Sequence, residues 1–330
     1  MEFRLECRKY SLPFRSVVMT SSGAWNVRQG VFIKVTGPDG RVGYGEAAPV
    51  PLRGKEDADV DLAACQALNG VLRGVSQIPA DLPALRSAVR AATEPAAAPK
   101  QASLGVAALL PSGRAALKEA PRLAEAGFRV FKWKVGIAAA ADELAMLDDL
   151  LGYLPGTSRV RLDANQAWSR RTAETWLAAA ATRPIEFIEE PVADSEGRED
   201  TLLGLAADYP VPIALDESIG SEAGLARWLD LGWRGFFVVK PQVALGIDGA
   251  LERLHAAQAR VVFSSVLETA IGAQSALRTA FSWPGRVPAL GFGVWPLFAD
   301  SRFDGPPAVP LLRPEDVSRI SPEAVWNAAS

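Results

Sequence analysis

Three stretches near the start of the chain, residues 2–8, 28–35 and 41–45, alternate apolar and polar side chains, and Gly37-Pro38-Asp39-Gly40 separates the last two. A period of two predicts half-buried strands, and the turn between them predicts an antiparallel hairpin. Between the first two strands, residues 19–26 are polar and glycine-containing and carry one large aromatic, Trp25. That composition predicts a loop, either lying over a ligand or resting on an ordinary surface. Helical periodicity follows over 57–72 and 81–92, and Thr93-Glu-Pro-Ala-Ala-Ala-Pro99 reads as a linker. Residues 1–100 are therefore expected to form an α+β unit.

Beyond the linker the pattern changes. Short apolar runs at 106–110, 130–134, 159–163, 185–189, 212–215, 236–240, 261–265 and 289–292 alternate with alanine-rich helical stretches such as 113–126, 139–151, 170–181 and 248–258. Eight continuous apolar strands with helices between them predict a parallel (β/α) barrel rather than an antiparallel sheet. A doubly wound sheet is the alternative. It would call for a phosphate-type glycine loop after its first strand, and Gly43-Tyr-Gly45 and Gly291-Phe-Gly293 are lone G-x-G pairs.

Composition narrows the function. The chain has 330 residues, 49% of them hydrophobic, and a formal net charge of −3. Acids and bases are interspersed, which gives no basis for binding nucleic acid or an anionic membrane, and points to a small-molecule partner with no obligate protein partner evident. Two isolated cysteines, Cys7 and Cys65, are too few for a disulfide framework or a thiolate metal site. Charges break the apolar run at the N-terminus and no stretch of 18 apolar residues occurs, so neither a signal peptide nor a membrane span is predicted and a cytoplasmic location is expected. The single histidine, His255, sits in a helical pattern, which disfavours Ser-His or Cys-His catalysis.

The chemistry lies at the strand ends. Lys132 and Lys134, in Val130-Phe-Lys-Trp-Lys134, share one face of a strand with Trp133 on the other. Two confined ammonium groups lower each other's pKa, and a lysine partly neutral near pH 7 is a general base in outline. The next three strands end in carboxylates: Val160-Arg-Leu-Asp163, Phe187-Ile-Glu189-Glu-Pro191 and Ile213-Ala-Leu-Asp216. Any one of these could be a helix N-cap. Three in succession crowd anions around one opening, and an all-oxygen cluster suits a hard divalent ion such as Mg²⁺. The sixth strand then ends in Lys240, so basic groups flank the acids from both sides. A metal between lysines suits abstraction of a proton next to a carboxylate, where an enediolate must be stabilised.

With Gly43-Tyr-Gly-Glu46-Ala-Ala-Pro49, Asp163-Ala-Asn165, Ile188-Glu-Glu-Pro191, Asp216-Glu-Ser218, Lys240-Pro241 and Ser264-Ser-Val-Leu-Glu268-Thr269, the chain resembles the enolase superfamily, in its muconate-lactonising branch, over nearly its whole length. The resemblance implies a modified (β/α)7β barrel of the TIM type over 101–300, an N-terminal α+β capping domain over 1–100, and a segment 301–330 returning to the cap. It implies Asp163, Glu189 and Asp216 as ligands of Mg²⁺, for which Mn²⁺ can substitute. It gives Lys134 the role of base, Lys132 that of its electrostatic support, and Lys240 that of a second lysine on the opposite face. Arg161 would meet a substrate or ligand carboxylate, Asn165 would steady a ligand, and Ser264, Ser265 and Trp25 would lie along the substrate. The activity implied is dehydration of a cyclohexadiene carboxylate that carries a succinyl chain and a hydroxyl, on the route to menaquinone or phylloquinone. Racemisation of N-acylamino acids or epimerisation of dipeptides is the alternative, and a barrel that only binds a ligand is a remote one. The absence of a D-x-D element in residues 291–304 favours the dehydratase.

Overall fold

The runs Val130-Phe-Lys-Trp-Lys134, Arg159-Val-Arg-Leu-Asp163 and Ile185-Glu-Phe-Ile-Glu189 are strands over those exact residues, because β-branched and aromatic side chains pack well on both faces of a parallel sheet buried between helices. In the computed structural model, which describes residues 2–20, 23–50 and 56–329, they are three of eight parallel strands.

The chain starts with an antiparallel sheet. Strands β1 (Phe3–Thr20), β2 (Gly23–Thr36), β3 (Val42–Ala47) and the two-residue β4 (Val71–Leu72) are ordered β3-β2-β1-β4, and helices α1 (Ala58–Ala67) and α2 (Pro83–Thr93) cover one face. Val31, Ile33, Val35, Leu72, Leu85 and Val89 form the core of this unit. The stretch 19–26, expected as a loop, is instead the end of a long β1–β2 hairpin: Met19 pairs with Ala24 and Thr20 with Gly23, while Ser21 and Ser22 lie outside the described residues. The alternation misses this because the register is irregular between Pro13 and Val18, and partners far along the chain hold that part of β1. Arg15 N–H donates to the Leu297 carbonyl at 2.8 Å, and Ala299 N–H donates to that of Pro13 at 3.0 Å.

The barrel follows with β5 (Leu104–Leu109), α3 (Ala115–Glu125), β6 (Val130–Lys134), α4 (Ala140–Tyr153), β7 (Arg159–Asp163), α5 (Arg170–Ala180), β8 (Ile185–Glu189), α6 (Arg198–Asp208), β9 (Ile213–Leu215), α7 (Glu222–Asp230), β10 (Phe236–Val239), α8 (Pro241–Ala244), α9 (Ala250–Ala256), β11 (Arg260–Phe263), α10 (Ala270–Ser282) and β12 (Leu290–Gly293). Sheet order is β11-β10-β9-β8-β7-β6-β5-β12, every pair parallel, and the Ser264–Gly291 bridge joins the two ends. This is a modified barrel capped by the N-terminal unit. The final segment adds β13 (Leu311–Leu312), antiparallel to β5, then α11 (Pro314–Ser318) and α12 (Pro322–Ala328). From α12, Trp326 reaches the cap, where Arg8 lies over its ring and donates to its carbonyl at 2.9 Å. No helix among the described residues is long and apolar enough to cross a membrane.

Candidate active site

Parallel pairing brings the charged strand ends to one level. Lys134 lies across from Asp163, Asp163 across from Glu189, and Glu189 across from Ala214, two residues before Asp216. The period of two turns Lys132 and Lys134 inward and leaves Trp133 buried against the helices. After β6 the chain must turn sharply. Gly136 does so at φ +81°, where a Cβ would stand 2.7 Å from that of Ala167. The carboxylate of Glu143, in the first turn of α4, then accepts from the N–H groups of Gly136, Ile137 and Ala138 at 2.8–3.1 Å and fixes the loop that follows Lys134.

A cavity of about 750 Å³ opens at this level. It brings together Lys132, Lys134, Asp163, Asn165, Asp216, Lys240, Ser264, Ser265 and Trp25. Glu189, 1% exposed, sits beneath them and meets the cavity through Lys132. The Lys132 ammonium lies 2.8 Å from Asp163 and 2.9 Å from Glu189, and that of Lys240 lies 2.5 Å from Asp216. Burial works to lower the pKa of Lys132, but Asp163, Glu189 and Asp216 outweigh it and hold it above the usual lysine range. The same burial, followed by the charges of Asp163 and Asp216, pushes the Glu189 carboxyl well above its ordinary value, with Lys132 acting against the shift. Lys134 moves in the other direction. Burial, with Lys132 adding to it and Asp163 and Glu217 opposing, lowers its pKa below that of an ordinary lysine.

Asp163, Glu189 and Asp216 offer only carboxylate oxygens, the donor chemistry of a hard divalent ion, and their mutual repulsion under burial calls for a cation. As the side chains stand, no three acidic, histidine or cysteine groups among the described residues converge on one point as a metal requires, and ammonium groups supply the positive charge. The residues present thus fit such an ion in kind and in charge.

Arg161 is corrected by the structure. It shares a face with Asp163 but lies deeper in the barrel, 1% exposed, where it donates to Glu186 and to the Ala289 carbonyl at 2.7 Å each and stacks on Phe187. It takes no part in lining the cavity. The serine hydroxyls have partners in the protein: Ser264 donates to the Gly291 carbonyl at 3.3 Å, and Ser265 to Glu268 at 2.8 Å. Trp25 meets Phe14 edge to face, with Arg28 over its ring.

Two acids escaped the sequence reading. Glu217 lines the cavity and its charge acts on Lys134. Glu190 points away from Glu189 and is fully buried. It accepts from Asp216 N–H at 2.8 Å and Ser218 N–H at 2.7 Å, is paired with Arg198, and so fixes the turn that presents Asp216. The alternation that separates Glu189 from Glu190 could have flagged it, although its partners come from the next strand.

Three comparisons agree with this geometry. The "Enolase C-terminal domain-like" family model matches residues 115–310. An o-succinylbenzoate synthase of Thermosynechococcus vestitus is 37% identical over 308 residues, covering 88% of this chain and 92% of that protein. One of Pectobacterium atrosepticum is 29% identical, covering 86% and 88%. Among solved structures, the o-succinylbenzoate synthase of Thermosynechococcus elongatus, complexed with Mg in its active site, superposes with a TM-score of 0.81 at 35% identity, covering 98% of this chain and 99% of that one. A dipeptide epimerase of Enterococcus faecalis reaches a TM-score of 0.78 at 18% identity, covering 95% and 97%, and so shares the fold.

Proposed function

The chain belongs to the enolase superfamily, in the family of the o-succinylbenzoate synthases, and from that membership we propose a division of labour in its active site. The enzyme is a lyase that eliminates water from a cyclohexadiene carboxylate bearing a succinyl chain and a hydroxyl, giving o-succinylbenzoate for menaquinone or phylloquinone synthesis. Lys134 is the base, and the observation that carries this is its place: it faces the cavity directly across from Asp163, with its pKa held down mainly by burial. In that state it takes the ring proton alpha to the substrate carboxylate, and as the ammonium it then assists departure of the hydroxyl. Aromatisation of the ring drives the elimination.

Asp163, Glu189 and Asp216 would hold Mg²⁺, with Mn²⁺ able to replace it, and the ion would supply positive charge to the enediolate. Lys132 keeps two of these carboxylates in place and adds positive potential beside Lys134, while Lys240 faces the developing charge from the side of Asp216. Asn165 steadies Asp163, whose Oδ1 accepts from its backbone N–H at 3.1 Å. The succinyl chain runs along Ser264, Ser265 and Trp25. Residues 1–100 serve as the cap, 101–300 as the catalytic barrel, and 301–330 as a strap between them. The substrate is a small carboxylate, with no nucleic acid, membrane or obligate protein partner, and the site of action is the cytoplasm.

The test is turnover of the cyclohexadiene substrate beside N-succinyl amino acids and dipeptides, with deuterium exchange alpha to the carboxylate as a second readout. We expect dehydration to dominate by kcat/KM. Faster epimerisation than dehydration would overturn the assignment.

A further inference from the structure

Helix α10 begins immediately after the turn 264–269, whose Ser264, Ser265, Val266 and Leu267 line the cavity. A helix start leaves backbone N–H groups without partners, and a side chain at the first position ordinarily takes one of them. Thr269 occupies that position and makes no such bond. The acceptor comes from the cap, 223 residues away in the chain. Glu46, on β3 and 1% exposed, accepts from Thr269 N–H at 3.0 and 3.1 Å, from Thr269 Oγ1 at 2.6 Å and from Gly272 N–H at 2.8 Å. In an ordinary capping box two side chains of the helix itself share these duties; here one carboxylate from another unit performs both.

The fit leaves little slack. A Cβ on Gly272 would stand 2.9 Å from Glu46 Oε2 and 2.8 Å from the Cβ of Glu268. Tyr10, stacked on Phe32 with centroids 4.3 Å apart, donates its hydroxyl to Glu46 Oε1 at 2.5 Å and fixes the carboxylate from the cap side. Arg28, also buried in the cap, grips the other end of the turn: it donates to the Leu267 carbonyl at 3.2 Å and to those of Ala48 and Pro49 at 2.5 and 2.6 Å. Leu267 itself stands at φ +64°, a region a leucine rarely adopts, so its surroundings must hold it there.

We propose that Glu46 is a positioning residue through which the cap sets the substrate-facing turn 264–269, so that cap docking and the shape of the substrate wall are one structural event. It acts through Thr269 and Gly272 and touches no reacting atom. The wall it holds follows β11, three strands round the barrel from β6 and Lys134, so its loss weakens substrate binding and leaves that lysine in place. The kinetic part of this proposal rests on the dehydratase reading; the structural part does not.

The experiment compares wild type, Glu46→Ala and Glu46→Gln, each checked for folding by circular dichroism. Steady-state kinetics of the cyclohexadiene substrate are measured at saturating Mg²⁺, together with amide hydrogen exchange by mass spectrometry. We expect Glu46→Ala to raise KM about tenfold or more with kcat within about threefold. Exchange should speed up in peptides spanning 264–272 and stay unchanged in those spanning 159–166, with Glu46→Gln, which keeps one accepting oxygen, recovering part of both effects. A folded Glu46→Ala with unchanged KM, or one whose kcat falls while KM holds and whose exchange rises evenly everywhere, would overturn the proposal. If Glu46→Ala does not fold, Thr269→Val, which removes one hydroxyl, decides by the same readouts: a KM about threefold higher supports the proposal and an unchanged KM refutes it. Absence of turnover in the wild type would sink the dehydratase reading and leave the docking claim to the exchange data. Unchanged exchange in an active variant would sink the docking claim alone.

Discussion

At the barrel mouth, Asp163, Glu189 and Asp216 are met by the ammonium groups of Lys132 and Lys240, whereas at the cap seam Glu46 is met by two backbone N–H groups and two hydroxyls. Both sites bury carboxylates, and in both the charge is compensated, as burial demands. The compensation differs in kind. Backbone donors belong to helix α10 and cannot leave without unfolding it, so the seam is fixed structure. A lysine ammonium rides on a flexible stem and can give way to a cation of higher charge, so the mouth can exchange partners during a catalytic cycle. At these two sites the nature of the counter-group thus separates a buried acid that supports the fold from those proposed to hold a metal ion.

The strongest way to break this contrast is to strip divalent ions with a chelator. Turnover should vanish and return with added Mg²⁺, while far-UV circular dichroism stays unchanged because the lysines still compensate the carboxylates. Full activity after stripping would end the assignment of Asp163, Glu189 and Asp216 as metal ligands. Next in size is Lys134→Ala, which should lower kcat by about 10²-fold or more with the fold intact, since it removes the proposed general base. Near-wild-type dehydration by that variant would exclude Lys134 from the role. Comparable in free energy is Lys132→Ala. It leaves Asp163 and Glu189 without their ammonium and should destabilise the metal-free protein by about 3 kcal/mol, the low end for breaking a buried ion pair. Added Mg²⁺ should restore much of that loss. Thermal unfolding with and without Mg²⁺ checks it, and an equal loss in both conditions would mean that lysine and metal do not substitute for each other.

How much of this could be read from the chain differs between the same two regions. The mouth was legible because it repeats: from β6 to β10 each largely apolar strand ends in or leads into a charged residue, and the strands at 130–134, 159–163 and 185–189 match residue for residue. The same alternation turns Glu189 and Glu190 to opposite faces. It fails for depth. Arg161 and Asp163 share a face, yet one ends in a lower layer of the barrel against Glu186 and the other at the rim, and a period of two carries no height. The seam was not legible. Nothing near Glu46 marks it as the cap of a helix that starts 223 residues later, and the long β1–β2 hairpin is held by pairing with residues 297–299 that local pattern cannot show. Contacts fixed by tertiary docking leave no periodic trace.

The smallest effect lies in the seam and probes its fixed character. Burial, with the nearby charge of Glu46 adding to it and hydrogen bonds from Ser265 and Val266 opposing, raises the carboxyl of Glu268 from 4.5 to about 7. A carboxyl whose pKa is raised on folding binds its proton more tightly in the folded than in the unfolded chain, so the stability it contributes is complete below the ordinary value and is lost as pH rises through about 7. Between pH 5 and pH 8 the wild type should therefore lose about 2.5 kcal/mol that Glu268→Gln, which cannot ionise, does not lose. In thermal unfolding the gap between the two proteins should move by about 3–4 °C over that interval, in the direction that favours the variant at high pH. A gap that stays constant from pH 5 to pH 8 would mean that Glu268 is ionised throughout, and that Ser265 and Val266 hold its charge as firmly as the backbone donors of α10 hold that of Glu46.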